Sequence, residues 1–403
     1  MHKPVSLALR WLLLSVSLAA CGATTPLPHT STVAIVPEFG AQTVQSVGAP
    51  RIQTLAGAFV TAGAFVTAGA FVTAGAFVTA GAFVTAGAFV TADPSVWTAA
   101  LDLSTVPSGP NNTFTANGPI WQTVGLQQAQ QQTPQLGDGI TVAVIDSGID
   151  LPHAAFTGHL SASRRDFLDG DDVPQEGGSP SDIAFGHGTG VADIILQVAP
   201  RATIMPLRAL QPDGSGDTRE IAAAIRYAVQ HGAQIINASV ASEPDADLDA
   251  ALSEAAAAGV YVVLSAGNTG ASPVLYPART ASGTGATAAS TLSVGSSSTS
   301  GVRSSFSSYG EDLEVLAPGE GVATAYPGNH AAVWRGTSFA APMVSGGLAL
   351  ALSHAGSAGV NVAARLSDTA TNVDRVNAAS LLPGKSTLGY GELNIAALVA
   401  SLQ

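Results

Sequence analysis

From Pro119 onward, short apolar runs of strand length alternate with segments of helical length, and this order constrains the fold more than any other feature of the chain. Ile140 to Ile145 reads as a buried strand. So do Thr203 to Leu210, Gln234 to Ser239, Val260 to Ser265, Leu292 to Gly295 and Leu313 to Ala317. Val191 to Val198, Arg219 to His231, Asp247 to Ala258 and Ser338 to His354 read as helices. Such alternation implies an α/β domain of three layers over residues 119–402, with a mostly parallel central sheet flanked by helices on both faces. Functional groups are then expected just past the carboxyl ends of strands.

The chain before residue 119 is of another kind, a low-complexity N-terminal region. Met1 to Arg10 carries Lys3 and Arg10, and Trp11 to Ala20 is an apolar run too short to span a bilayer, so residues 1–20 read as an export signal. Leu18-Ala19-Ala20-Cys21 resembles the bacterial lipobox, in which the thiol is acylated and becomes the new N-terminus. Cys21 is therefore the expected lipidation site. An acylated Cys21 would tether an exported protein to the cell envelope or cell surface, unless it is released to the extracellular space. As the single cysteine it also excludes an intramolecular disulfide framework and a Cys-based zinc site.

Residues 21–118 read as a spacer or pro-region. Within them Ala56 to Thr91 is six copies of Ala-Gly-Ala-Phe-Val-Thr, in the stretch without charge that lies between Arg51 and Asp93. On a helix a step of six residues turns about 600°, which scatters the Phe side chains. On a strand six is a multiple of two, so every Phe falls on one face and every Val on the other. Period favours extended structure, and the tract reads as a spacer, a short β-solenoid piece or a marginal membrane segment.

Composition narrows the function classes. The net charge is −13 and Lys3 and Lys385 are the only lysines, so binding to a phosphate backbone has no electrostatic basis and nucleic acid is excluded as a partner. An apolar content of 46% is ample for a core.

Three short segments place chemistry where the fold predicts it. Val144-Ile145-Asp146-Ser147-Gly148 puts Asp146 directly after a buried strand, and Phe185-Gly186-His187-Gly188-Thr189-Gly190 puts His187 at the start of an apolar helix. Gly336-Thr337-Ser338-Phe339-Ala340-Ala341-Pro342 puts Ser338 where a Gly-containing turn runs into a helix, with Pro342 early enough to be tolerated. A serine hydroxyl is a poor nucleophile near neutral pH until a base takes its proton, a task that suits an imidazole. Taken singly, each residue has a structural reading.

Taken together, the segments resemble the catalytic blocks of the subtilases, the subtilisin-like serine proteases, in the order Asp146, His187, Ser338. Leu264-Ser265-Ala266-Gly267-Asn268 resembles the strand and oxyanion Asn of that family, and Gln234 to Ser239, Tyr276-Pro277-Ala278, Phe306 to Gly310 and Ala317-Pro318-Gly319 match further blocks. The resemblance implies a serine endopeptidase with no cofactor for catalysis. In it Asp146 orients His187, His187 is the base, Ser338 the nucleophile, and Asn268 with the Ser338 N–H stabilises the oxyanion. Gly214-Ser215-Gly216 and Ser239-Val240-Ala241 resemble the segments that hold an extended polypeptide substrate as an added strand, and Ser265-Ala266-Gly267 would wall the primary pocket. Asp217 reads either as a solvated loop acid or as a preference for basic substrate side chains.

Departures from the family pattern are Gly190 and Met343, where members usually carry His, Ala241, where Gly is expected, and the short run from Ile195 to Pro200, which lacks a loop for strong calcium binding. Arg165 to Gln175 resembles the loop for a second, weaker calcium. It reads either as a solvated acidic turn or as a structural calcium site using Asp166, Asp169, Asp171, the Val173 carbonyl and Gln175. The protein is expected to be a monomer. A competing reading is an inert surface adhesion or structural protein on a protease scaffold.

Overall fold

Val142 to Ile145 are apolar at four consecutive positions, a pattern that a strand covered on both faces buries, and all four are buried. A computed structural model describes residues 32–34, 110–282, 285–354, 359–378 and 388–403. The export signal, Cys21 and the repeats at 56–91 lie outside the described residues.

The strands are β1 (Thr32–Ala34), β2 (Thr141–Asp146), β3 (Arg165–Asp166), β4 (Thr203–Arg208), β5 (Ser215–Asp217), β6 (Ile235–Ala238), β7 (Tyr261–Ser265), β8 (Thr291–Ser297), β9 (Val315–Pro318), β10 (Val322–Tyr326) and β11 (His330–Trp334). Seven of them form one sheet in the order β3-β4-β2-β6-β7-β8-β9, every pair parallel. The chain runs from β2 to β4 on one side and returns to β6 on the other, so the order reverses at β2. Asp146 closes that strand, at the switch point where open α/β sheets bind ligands.

The helices used below are α1 (Pro110–Ala116), α2 (Gly118–Thr123), α3 (Leu126–Gln132), α4 (His187–Val198), α5 (Thr218–Gln230), α6 (Ala246–Ala257), α7 (Thr337–Ser353), α8 (Val362–Asp368) and α9 (Ile395–Ala400). Helices α4 and α7 pack together against one face of the sheet, and α5 and α6 together against the other. Helix α7 is buried without interruption from Thr337 to Ala351, as befits a helix apolar all round. The outer helix α5 is buried on one side only, at Ile221, Ala222, Ala224, Ile225 and Ala228, and its N-terminus is capped by Asp217.

The strand and helix segments read from sequence fall within a few residues of these bounds. The packing begins before residue 119, however. Asn117 is fully buried, donates to Gln197 Oε1 at 2.9 Å and the Ala323 carbonyl at 2.8 Å, and accepts from Ala323 N at 2.8 Å. Gln197 and Ala325 N both donate to Asp193, which binds helix α4 to β10.

Candidate active site

Strand β2 ends at Asp146, and α4 starts at His187 because Gly186 turns the chain there with φ of +84°. The next residue must also be small. A β-carbon on Gly188 would collide with the Gly148 carbonyl and stand 3.0 Å from the Asp146 β-carbon. This close approach brings His187 Nδ1 to 2.7 Å from Asp146 Oδ1, with the two side chains 0% and 1% exposed. An ionised carboxylate only accepts, so Nδ1 carries the proton and the neutral ring keeps its lone pair on Nε2. Asp146 Oδ1 also accepts from Ser147 N at 2.8 Å.

Ser338 is the second residue of α7, and its side chain is buried. No hydrogen bond joins Ser338 Oγ or His187 Nε2 to a partner. Phe339, next in sequence to Ser338, packs its ring 5.2 Å from that of His187. Pro342 lacks the N–H that would bond the Ser338 carbonyl inside the helix; that carbonyl accepts instead from Ser239 Oγ at 3.2 Å. The proline thus frees a backbone acceptor that ties the serine turn to the segment after β6.

Asn268 is oriented by the same turn. Its Oδ1 accepts from Thr337 N and Thr337 Oγ1, both at 2.9 Å, which assigns the amide nitrogen to the side facing Gly336, where a β-carbon would stand 3.4 Å from Nδ2. A donor side chain and the first turn of a helix therefore flank Ser338.

Residues 137–388, more than half of the chain, match the Subtilase family. The chain belongs to the subtilase family. It is similar to subtilisin BL from Lederbergia lenta, with 36% identity over 253 residues that cover 60% of this chain and 87% of the relative. Thermitase from Thermoactinomyces vulgaris is 32% identical over 276 residues, covering 64% and 93%. Among solved structures, a lanthipeptide protease superposes with a TM-score of 0.59 at 27% identity over 71% of this chain and 95% of that one. A cold adapted subtilisin-like serine proteinase gives 0.51 at 30% identity over 59% and 84%. The protein is thus a subtilisin-like serine protease, a hydrolase of peptide bonds. Among the described residues no helix is long and apolar enough to cross a membrane.

The space beside Gly190 is filled by the Thr324 hydroxyl, 2.8 Å from where a β-carbon would stand, and by aromatic rings. A β-carbon there would stand 3.2 Å from Trp334 Nε1 and 3.3 Å from Phe339, and these two rings stack at 4.9 Å. Trp334, 1% exposed at the end of β11, also meets the His187 ring edge-on at 6.2 Å. A second histidine at 190 would have no room.

The segments expected to hold substrate lie around this centre. Ser215 and Gly216 belong to β5, with Gly214 just before it, and β5 pairs antiparallel with β1, Val33 opposite Gly216. Ser239, Val240 and Ala241 continue β6 and are buried, as are Ser265 and Ala266 at the end of β7. Gly267 follows with φ of +105°, and Leu275 lies where its β-carbon would be, within 2.7 Å. Asp217 does not present a free charge. Although burial opposes ionisation, Arg219 holds its carboxyl below the ordinary range, with Nη2 at 2.7 Å and its backbone N–H at 2.9 Å.

The calcium ligands do not converge. Arg208 Nη1 donates to Asp166 Oδ2 at 2.7 Å and to Asp169 Oδ2 at 2.8 Å, so a guanidinium stands where the cation would be needed. Asp171 caps its own turn through Val173 N, and Gln175 accepts from Leu151 N and donates to Asp150. Among the described residues no group of three His, Cys, Asp or Glu could hold a metal. As arranged, the set does not fit calcium, because the acid-rich sequence is balanced by an arginine distant in the chain.

Two further groups had no sequence signal. Glu176 is 7% exposed, and burial above all pushes its carboxyl up to about 8, with Asp146 adding to the rise and the hydroxyls of Ser147 and Thr189 opposing it. Along the sequence it lies in a loop, at the end of no strand or helix read there, where an acid beside two glycines reads as a turn. Leu275 precedes the matched Tyr276-Pro277-Ala278 block, and its backbone bond to the Ala266 carbonyl, at 2.9 Å, brings it to the Ser265-Ala266-Gly267 segment.

Proposed function

We propose that the protein is an endopeptidase acting on extended or unfolded polypeptides, with Ser338 as nucleophile, His187 as base and Asp146 as the group that fixes its tautomer. The observation that carries this reading is the buried 2.7 Å pairing of His187 Nδ1 with Asp146, which leaves Nε2 as the basic nitrogen. His187 Nε2 takes the Ser338 Oγ proton as Oγ bonds to the scissile carbonyl carbon. The carbonyl oxygen gains the electron pair and is stabilised by Asn268 Nδ2 and the Ser338 N–H at the start of α7. Collapse expels the amine, which takes the proton from His187, and water then hydrolyses the acyl-enzyme by the same route.

An extended substrate would take the place of β1 as the strand beside β5 and lie against Ser239 to Ala241. The antiparallel pairing of β1 with β5 supports that edge as one that accepts an extended segment. Leu275 against Gly267 narrows the primary pocket and favours small side chains there. Export and acylation at Cys21 would hold the enzyme at the cell envelope.

Covalent labelling by a fluorophosphonate tests the reading: the wild type should be labelled, and Ser338→Ala should not. Equal labelling of both would overturn it. Detergent partitioning lost in Cys21→Ser would test the anchor separately.

A further inference from the structure

Glu176 lies in the loop between β3 and α4, and its backbone is pinned to the turn that follows Asp146. Its N–H donates to the Ile149 carbonyl at 2.9 Å, and Ile149 N donates to the Pro174 carbonyl at 3.0 Å. The side chain is buried and its two oxygens part company. Oε1 accepts from Ser147 Oγ at 2.7 Å, and Oε2 accepts from Thr189 Oγ1 at 2.8 Å and Thr189 N at 3.3 Å.

Those two partners belong to different elements. Ser147 follows Asp146 at the end of β2, and Thr189 sits in the first turn of α4, two residues after His187. Ser147 Oγ also accepts from Gly188 N at 3.1 Å, and Thr189 Oγ1 accepts from Asp150 N at 2.9 Å, so each hydroxyl is engaged from both sides. One carboxyl thus spans the joint whose two halves carry the acid and the imidazole.

We infer that Glu176 is a positioning residue that sets the Asp146–His187 geometry by bridging Ser147 and Thr189. It touches none of the reacting atoms and acts on the rate through His187. The inference rests on the peptidase reading above, and it names a residue that the motif blocks do not include. The bridge depends on shape, on an acceptor facing Thr189 and on a group that bonds the Ser147 hydroxyl. A neutral amide of the same size preserves most of it, its oxygen accepting from Thr189 and its NH2 donating to Ser147 Oγ, which can turn its own proton to Asp146 Oδ1 at 3.2 Å, while a methyl group abolishes it.

The experiment uses the full chain, with active enzyme counted by fluorophosphonate titration so that misfolded material does not enter kcat. Glu176→Ala should lower kcat per labelled site by about 10- to 100-fold, the scale for a misplaced reacting group, with KM changed by less than about twofold. Glu176→Gln should recover most of that loss. The downfield proton resonance of His187 Nδ1–H should move in Glu176→Ala and stay near its wild-type position in Glu176→Gln. An unchanged kcat with an unmoved resonance in Glu176→Ala would overturn the inference, and so would an equal loss in both variants. If the wild type takes up no fluorophosphonate, the peptidase reading fails on its own, and the resonance, read without turnover, still decides the role of Glu176.

Discussion

Strands β2 and β3, which flank β4 in the sheet, each end among acids, and the chain neutralises the two clusters by opposite means. At the end of β2, Asp146 and Glu176 are met by an imidazole and by hydroxyls, with no permanent cation among their hydrogen-bond partners. Beside it, Asp166 and Asp169 share the guanidinium of Arg208, which stands in register with both Asp146 and Asp166 on the adjoining strands. An arginine never gives up its charge, so the second cluster is a strut. A histidine can gain and lose a proton, so the first can do chemistry.

The sharpest way to break that comparison is to remove one member from each cluster. Asp146→Ala or Ser338→Ala should lower kcat on a peptide substrate by about 10⁴-fold or more, the scale known from triad losses in subtilisin, while the unfolding midpoint barely moves. Arg208→Met should do the reverse. Asp166 is 1% exposed and would be left buried without a counter-charge, at a cost of about 3 kcal/mol in urea unfolding, with kcat per active site retained. Adding Asp166→Asn should recover part of that stability. If Arg208→Met lost activity rather than stability, the distinction between strut and chemical cluster would be wrong.

The sequence made Asp146, His187 and Ser338 legible and hid Arg208 for one reason. Asp146 ends a strand, and His187 and Ser338 lie where a turn enters a helix, places where hydrophobic patterning and glycine punctuation can be read locally. Arg208 ends an ordinary buried strand, and nothing local says that its side chain turns toward the acids of Arg165 to Gln175. The acid-rich loop therefore left a solvated turn and a calcium site both open, with no sign of the arginine that meets Asp166 and Asp169. Trp334 and Phe339 were hidden likewise, since filling the space beside Gly190 requires the hairpin of β10 and β11 to fold over α4. Asn117 was missed because buried polar partners such as Gln197 and Ala323 carry no periodic signal.

Another buried acid, outside both clusters, has a single hydroxyl to meet it. Glu392 is 3% exposed and accepts only from Ser297 Oγ, at 2.7 Å; burial pushes its carboxyl up to about 7 against the opposing pull of that hydroxyl. A raised folded pKa means that the folded protein holds this proton more tightly than the unfolded chain does. The stability it contributes is complete below the ordinary value of 4.5 and is lost as pH rises through about 7. The wild-type unfolding midpoint should therefore fall between about pH 5 and pH 8, and Glu392→Gln should make that fall shallower. The flattening is partial, because burial raises Asp193 and Glu176 as well, with slopes of the same sign. A pH slope identical in the variant would mean that Glu392 is charged or hydrated when folded.

The smallest expected effect concerns calcium, and it sharpens the contrast between a fixed cation and an exchangeable one. In the wild type Arg208 already holds two of the four side chains that a calcium ion would need, and Gln175 is engaged with Asp150 and Leu151. Millimolar calcium should therefore shift Tm by less than about 1 °C, because a ligand stabilises a fold only in proportion to its occupancy of the folded state. Arg208→Gln changes the balance. It leaves Asp166 and Asp169 without their cation while keeping a side chain that can bond them, and the mutual repulsion of the two carboxylates then favours any divalent ion that can reach Asp169, which is 68% exposed. In that variant calcium should raise Tm measurably and chelator should lower it, whereas magnesium, which demands near-ideal octahedral geometry, should do less. A calcium-dependent rise in the wild type equal to that in Arg208→Gln would show that the loop binds the ion elsewhere, and that the guanidinium and the metal are not alternatives for the same charge.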